Sequence, residues 1–200
     1  MTAQVKLSAR EERRRQTRER ILEVATAEFK RAGMAGADVG AIVAAAGVAH
    51  GTFYFHFPSK EHVLLELESR EEARVAAEFA ASLSSPHDLV TALTKVVDLV
   101  SGLELRFGPL LFKEILAQHF SPTRPQRDDW TDHPVIVLLV DEIERARGDG
   151  VIHPQVDAFY SATFFLLGIY GVLTTTDDSE TRNAMLADSV ASVVRGLKIR

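Results

Sequence analysis

The stretch from Asp38 to Lys60, DVGAIVAAAGVAHGTFYFHFPSK, limits most strictly what this chain can fold into. Its first part carries apolar residues at the spacing of one helix face, at Val39, Ile42, Val43 and Ala46. Gly47 then interrupts the pattern, because glycine tolerates the left-handed conformation that ends many helices. Phe53 and Phe57 follow four residues apart, so both can lie on one side of a second short helix. The stretch therefore predicts two short helices joined by a turn.

Two helices joined by a glycine-containing turn are typical of a helix-turn-helix, whose second helix enters the major groove of DNA. The residues also resemble the signature of the tetracycline-repressor (TetR) family. The resemblance lies in Ala45-Ala46-Gly47-Val48, Gly51-Thr52-Phe53-Tyr54, His56-Phe57 and Ser59-Lys60-Glu61, with Thr17 to Leu22, Ala25, Phe29 and Gly33 upstream. It covers roughly residues 10 to 65 and implies a homodimeric regulator that binds a DNA operator and a small-molecule effector.

The resemblance implies DNA contacts, largely to phosphates, from Thr52, Tyr54 and His56 on the second helix and from Lys60 after it. Gly51 would let the backbone approach the DNA closely. His50 and Phe55 stand where the family varies, so we expect them to contact bases. A histidine can hydrogen-bond a base edge, and a phenyl ring can touch a thymine methyl group. The alternative for Phe55 is a place in the core.

Charge supports this division of the chain. The net charge is −5, but residues 1–60 carry ten basic and six acidic side chains, whereas the remainder carries 13 basic and 22 acidic ones. Such asymmetry is typical of a nucleic-acid-binding part attached to a different domain. We therefore predict a DNA-binding domain over residues 1–60 and a ligand-binding and dimerisation domain over residues 61–200, linked by the helix that begins near residue 60.

Helical spacing continues through the rest of the chain, and no segment alternates as a strand does. The prediction is an all-α protein of about nine helices. The helices are expected at about 9–31, 39–46, 50–57, 60–82, 88–105, 109–119, 134–147, 154–175 and 179–197. No apolar run is long enough to cross a membrane, and the chain has no cysteine. A cytoplasmic protein without a membrane partner is expected.

The aromatic side chains of the second domain suggest a mainly apolar effector. The candidate pocket residues are Phe107, Phe112, Leu116, His119, Trp130, Tyr160 and Phe164. The last two helices are apolar over wide arcs, which predicts burial against a second copy. The candidate interface residues are Phe165, Gly168, Ile169, Val190, Val193 and Leu197.

Two alternatives to a ligand-responsive repressor remain open at this level. One is a metal-responsive regulator, because Asp128, Asp129, Asp132 and His133 form a cluster of possible ligands. A polar surface loop explains that cluster as well, so we assign no metal site and no cofactor. The other alternative is a helical small-molecule-binding protein or enzyme that keeps the motif as a scaffold. No phosphate-binding loop, nucleophile elbow or paired carboxylates indicate a catalytic residue.

Overall fold

The computed structural model describes residues 8–121 and 133–198. Over these residues the protein consists of nine α-helices and no strand, so the all-α prediction is confirmed. The helices are α1 (Ala9–Gly36), α2 (Val39–Ala46), α3 (His50–His56), α4 (Lys60–Ser82), α5 (Leu89–Phe107), α6 (Pro109–His119), α7 (Pro134–Gly148), α8 (Ala158–Thr175) and α9 (Ser179–Leu197).

Helix α1 begins where it was predicted, whereas its end and the start of α8 differ from the prediction. Helix α1 begins after Ser8, whose hydroxyl accepts from the backbone N–H of Glu11, while the Glu11 carboxylate accepts from the N–H of Ser8. At its other end Gly33 leaves the helical conformation, with φ 71° and ψ 164°, and one further turn follows. Helix α8 begins later than predicted, because the Asp157 carboxylate accepts from the N–H of Tyr160 at 2.8 Å. Side-chain caps of this kind set where a helix starts.

The chain divides into two compact units, residues 1–68 and residues 69–200. The division falls inside α4, so the first turns of this helix belong to unit 1 and the remainder to unit 2. Unit 1 encloses apolar side chains from all four of its helices: Ile21, Leu22, Phe29, Ile42, Phe53, Phe57, Val63 and Leu64.

Helix α5 is central to unit 2, where it packs against α6, α7, α8 and α9. Its buried side chains include Leu93, Val96 and Val100. Helix α8 is long and apolar enough to cross a membrane by length and composition alone, with mean hydropathy 1.4 over 18 residues. Buried core helices of soluble proteins have the same properties, and α8 packs against α7 and α9.

The side chain of His87 links helix α7 to the loop that precedes α5. The Nδ1 atom of His87 lies 2.7 Å from the carbonyl oxygen of Ser85, and its Nε2 atom lies 2.8 Å from a carboxylate oxygen of Glu142. Both partners only accept hydrogen bonds, so the ring satisfies both when each nitrogen carries a proton. The bond to the Ser85 carbonyl and the bond to Glu142 raise the pKa of His87. Arg145 also donates to Glu142, a buried carboxylate.

We expect this contact to make unit 2 less stable as pH rises. A raised pKa in the folded state means that the stabilisation is complete below the ordinary value of 6.5 and is lost as pH rises through the pKa of His87. His87→Gln should abolish that pH dependence, measured as the unfolding temperature between pH 5.5 and 8.5. His153→Gln, at an exposed histidine, is the control. Identical pH profiles for His87→Gln and the wild type would contradict the assignment.

Candidate nucleic-acid interface

Helices α2 and α3 form a helix-turn-helix. Their axes differ by 97°, and three residues join them. The Asp38 carboxylate caps α2 by accepting from two backbone N–H groups. Gly47 ends α2 in the left-handed conformation, with φ 61° and ψ 40°, as predicted. By contrast, Ala49 gives α3 no side-chain cap, so this short helix depends on packing.

Packing orients α3. Phe53 is completely buried, and Phe57 follows it in the same core. This leaves Tyr54 53% exposed and Phe55 66% exposed on the outer side. The exposure of Phe55 excludes the alternative that it is a core residue, and its role as a base contact stays a prediction.

The remaining predicted contacts of α3 differ in accessibility. His50 and Gly51 are exposed, and Thr52 is half-buried. A Cβ atom at Gly51 would meet nothing within 4 Å, so no internal contact requires glycine there. His56 lies inward, with only 8% exposed. Burial lowers the pKa of His56, and the charges of Arg18 and Arg14 lower it further, so the ring is neutral near pH 7.

Arg18 connects three helices of unit 1. Its guanidinium donates to the backbone carbonyl of His56, at the end of α3, and to the carboxylate of Glu66 on α4 at 3.0 Å. It also lies over the Phe57 ring, 4.2 Å from the ring centroid. An arginine engaged by a carbonyl, a carboxylate and an aromatic face has little freedom to move. It therefore helps to hold α3 against α1 and α4.

A basic cavity of about 560 Å³ lies beside the exposed side of α3. It is lined by Ser8, Arg10, Glu11, Arg13, Arg14, Thr17, Thr52, Phe55 and His56. Sequence analysis did not assign Arg13, Arg14 or Thr17 to this surface, although the run of arginines from Arg13 to Arg15 was a signal. Their position next to Thr52 and Phe55 follows from the packing of α1, which no local pattern specifies.

Lys60 is engaged inside unit 1. Its ammonium donates to the carbonyl oxygens of Met34 at 2.7 Å and Ala37 at 2.9 Å, with Ala35 at 3.4 Å. These carbonyls follow the break in α1 at Gly33. An ammonium has three N–H donors, and three carbonyls surround this one. The geometry favours an internal capping role over the predicted phosphate contact.

The predicted pocket residues of unit 2 fall into two groups. Phe107, Phe112 and Leu116 are buried, and His119 is half-buried. Tyr160 is 60% exposed and Phe164 is 70% exposed, which contradicts their assignment to the wall of an enclosed pocket. Both point away from the side of α8 that packs in the core. Trp130 lies outside the described residues.

The predicted dimer interface needs a similar correction. Phe165, Ile169, Val190 and Leu197 are buried within their own chain, so they are not free to contact a second copy. The wide apolar arcs of α8 and α9 are explained by neighbours on several sides, since α8 packs on both α7 and α9. Of the predicted set, Gly168 is exposed and Val193 is half-buried.

Two open grooves mark the surface of unit 2. A groove of about 430 Å³ between α6 and α8 is lined by Lys113, Leu116, Ala117, Phe120, Leu167, Tyr170, Gly171 and Thr174. A groove of about 470 Å³ between α5 and α9 is lined by Val90, Thr94, Val97, Asp98, Ser101, Asn183, Leu186, Ala187, Val190 and Ala191.

Of the four possible metal ligands, only His133 lies among the described residues. Asp128, Asp129 and Asp132 lie outside the described residues, and the Nδ1 atom of His133 lies 3.1 Å from a carboxylate oxygen of Glu72. Within residues 8–121 and 133–198, no group of three or more possible ligands is arranged to hold a metal ion.

Comparison with known proteins agrees with the geometry of unit 1. Residues 21–67 match the model of the family described as bacterial regulatory proteins, tetR family. Over 184 residues the chain is 26% identical to the HTH-type transcriptional regulator UidR of Escherichia coli (strain K12), a match that covers 90% of this chain and 92% of UidR.

Solved structures share the fold over about nine-tenths of this chain. A transcriptional regulator from Saccharomonospora viridis in complex with choline has a TM-score of 0.70 and 23% identity, covering 93% of this chain and 100% of that one. The fatty acid degradation regulator FadR from Bacillus halodurans has a TM-score of 0.66 and 19% identity, covering 90% and 99%.

The position of Lys60 leads to a test with two measurements. Lys60→Met keeps the aliphatic stem and removes the ammonium, so partly buried carbonyls lose a charged donor. We expect the stability of unit 1 to fall by about 1–3 kcal/mol, measured by thermal unfolding. The salt dependence of DNA binding should stay that of the wild type, whereas loss of a phosphate contact would reduce its slope by about 0.9. Arg13→Ala is the comparison, as an exposed cation of the basic cavity.

If Lys60→Met reduces the slope of the salt dependence of DNA binding and leaves the stability of unit 1 unchanged, Lys60 contacts a phosphate and the internal capping role is wrong.

Proposed function

Since the chain belongs to the TetR family of bacterial regulatory proteins, we propose that it is a homodimeric repressor that binds a palindromic operator and is released by a mainly apolar small molecule. As a transcriptional regulator of this family, it would act in the cytoplasm. The observation that carries the proposal is the exposed side of α3, where Tyr54 and Phe55 lie beside an arginine-lined cavity.

This surface has both properties that DNA recognition requires. Arginines of α1 supply positive charge for phosphates, and this charge governs affinity and its dependence on salt. The outward side chains of α3 supply groups that can contact base edges in the major groove. Tyr54 and Phe55 are each more than half exposed, so most of each side chain is available to contact DNA.

For the dimer we propose the exposed sides of α8 and α9. Phe164 and Tyr160 are exposed apolar residues one helical turn apart on α8, and Met185 on α9 is 45% exposed. A Cβ atom at Gly168 would meet nothing within 4 Å, so a neighbouring helix can approach closely there. Exposed apolar residues that cluster on one face mark protein interaction sites.

Selection of bound fragments from genomic DNA with the purified protein tests the proposal. A dimer should select a pseudo-palindrome whose half-sites are centred about 34–36 Å apart, or a multiple of one helical turn. Recovered fragments without a common site would contradict sequence-specific DNA binding. A site without internal symmetry would contradict the dimer.

A surface substitution separates dimerisation from folding. Phe164→Glu should give a monomeric mass in solution scattering at micromolar concentration and should lose binding to the full operator. Leu105→Glu is the matched control, because Leu105 is 84% exposed on α5, a helix that contributes no residue to the proposed interface. A dimeric Phe164→Glu protein would place the interface elsewhere.

We place the effector in unit 2, at the groove between α6 and α8. Its lining is mainly apolar, with Leu116, Phe120, Leu167 and Tyr170. Phe107 ends α5 and Phe112 lies on α6 itself, and both rings are buried. A volume of about 430 Å³ lies within the range of small-molecule sites. The structure from Saccharomonospora viridis shows that a similar helical protein holds a small organic molecule, choline.

Coupling between effector and operator is reciprocal, which provides a test. An inducer must bind the DNA-incompetent state more tightly, so operator DNA must weaken effector binding by the same factor. An effector identified from a panel of fatty and aromatic acids by thermal shift should bind about tenfold or more weakly in the presence of operator. Equal affinities would show that it is not an inducer.

Two substitutions distinguish the two grooves. Ala117→Trp fills the α6/α8 groove and should abolish effector binding while leaving effector-free operator binding intact. Ala191→Trp fills the α5/α9 groove, which is of similar size, and should leave effector binding unchanged. Loss of effector binding with Ala191→Trp alone would assign the effector to that groove.

The metal-responsive alternative predicts that operator affinity changes with added zinc or with a chelator. The enzyme or scaffold alternative predicts no specific DNA fragment in the selection experiment. The first alternative rests on the sequence alone, in His133 and the aspartates before it.

A further inference from the structure

We propose that Arg14 of α1 is a positioning residue for base recognition: it holds the Phe55 ring so that the ring contacts the methyl group of one thymine. The inference rests on the proposed DNA binding and adds a specificity determinant to it. Arg14 lies outside the helix-turn-helix, so it would shape sequence preference from a different helix.

The guanidinium group of Arg14 lies over the ring of Phe55. The guanidinium carbon of Arg14 lies 5.0 Å from the centroid of the Phe55 ring. This distance is within the range of about 6 Å over which an arginine is attracted to an aromatic face. The planar guanidinium also covers the ring, which an ammonium cannot do. One side of the Phe55 ring is therefore covered by Arg14, while the side chain as a whole stays 66% exposed.

A second ring contacts Phe55 from its own helix. The His56 and Phe55 rings meet edge to face, with centroids 5.2 Å apart and planes at 81°. His56 is itself buried and so has a fixed position. An exposed phenyl group would otherwise sample several rotamers, and ordering it on binding would cost affinity. Arg14 and His56 together restrict the ring before DNA arrives.

Arg14 is available to contact Phe55, whereas nearby arginines of α1 pair with carboxylates. Arg15 pairs with Glu12 at 2.8 Å, and Arg18 pairs with Glu66 at 3.0 Å. Over the described part of the chain, Arg14 makes no ion pair with a carboxylate. Its contact is the Phe55 ring, and it lines the basic cavity. Within this run of arginines, Arg14 places its guanidinium over a ring on the outward side of α3.

The apolar edge of the Phe55 ring determines which base it can contact. A phenyl group offers no hydrogen bond, so it cannot pair with the polar edges of guanine, adenine or cytosine. The only apolar group in the major groove of unmodified DNA is the thymine methyl. Burying one methyl group is worth about fourfold in affinity. Replacing that thymine by deoxyuridine removes the methyl group alone.

The experiment measures affinity for the selected operator with each thymine replaced in turn by deoxyuridine. For the wild type we expect about a fourfold loss at one position per half-site. Phe55→Ala should remove this discrimination, and so should Arg14→Ala. Arg14→Lys keeps the charge without the planar stack, so it should keep most of the affinity but lose most of the discrimination. The double variant, Arg14→Ala with Phe55→Ala, should discriminate between thymine and deoxyuridine no less than either single variant does, because both residues act through the same contact.

Arg15→Ala is the matched control. It removes the same charge from the same helix, so it should weaken binding to thymine and deoxyuridine operators equally. If Arg14→Ala behaves as Arg15→Ala does, Arg14 is only a phosphate contact and the inference is wrong. The inference is also wrong if Phe55→Ala and Arg14→Ala act at different positions. If the wild type binds no operator at all, it is the proposed function that fails. Thermal unfolding of each variant verifies that unit 1 stays folded.

Discussion

The burial of Phe53 and Phe57 is the interaction on which the exposed surface of α3 depends. Helix α3 has only seven residues and no side-chain cap at its start, so it cannot be stable in isolation. It is held by two phenylalanines in the core of unit 1 and by Arg18, which donates to its last carbonyl. Once those rings face inward, helical geometry turns Tyr54 and Phe55 outward. The accessible surface of α3 is therefore a consequence of its packing.

The arginines of α1 show how packing gives one residue type different roles. Arg15 pairs with a carboxylate one turn away, which is a local contact of small energetic value. Arg18 connects three helices and belongs to the structure of unit 1. Arg14 lies over the ring of Phe55, on the surface that we propose meets DNA. Their differences arise from where each points on the helix and from which helix lies there.

In unit 2, packing likewise decides which apolar side chains are buried and which stay exposed. Helices α8 and α9 have apolar positions on several sides, and the bundle uses most of them. Phe165 and Ile169 serve the core, whereas Phe164 stays outside. Neighbouring residues of one type thus have opposite surroundings, because successive side chains of a helix are about 100° apart. The apolar residues that stay exposed, rather than the total apolar content of α8 and α9, form the surface where we propose that a second copy binds.

The sequence by itself determined the helices, the turn at Gly47 and the family, because these depend on patterns within a few residues or on a contiguous signature. Asp38 and the apolar spacing of α2 are examples: a cap and a helix face are local properties. Only the tertiary structure decided what Lys60, Arg14 and Phe164 contact. Lys60 meets carbonyls 23 to 26 residues earlier, and Arg14 meets a ring on another helix. Such contacts depend on how helices distant in the sequence pack together, and spacing along one helix carries no information about its neighbour.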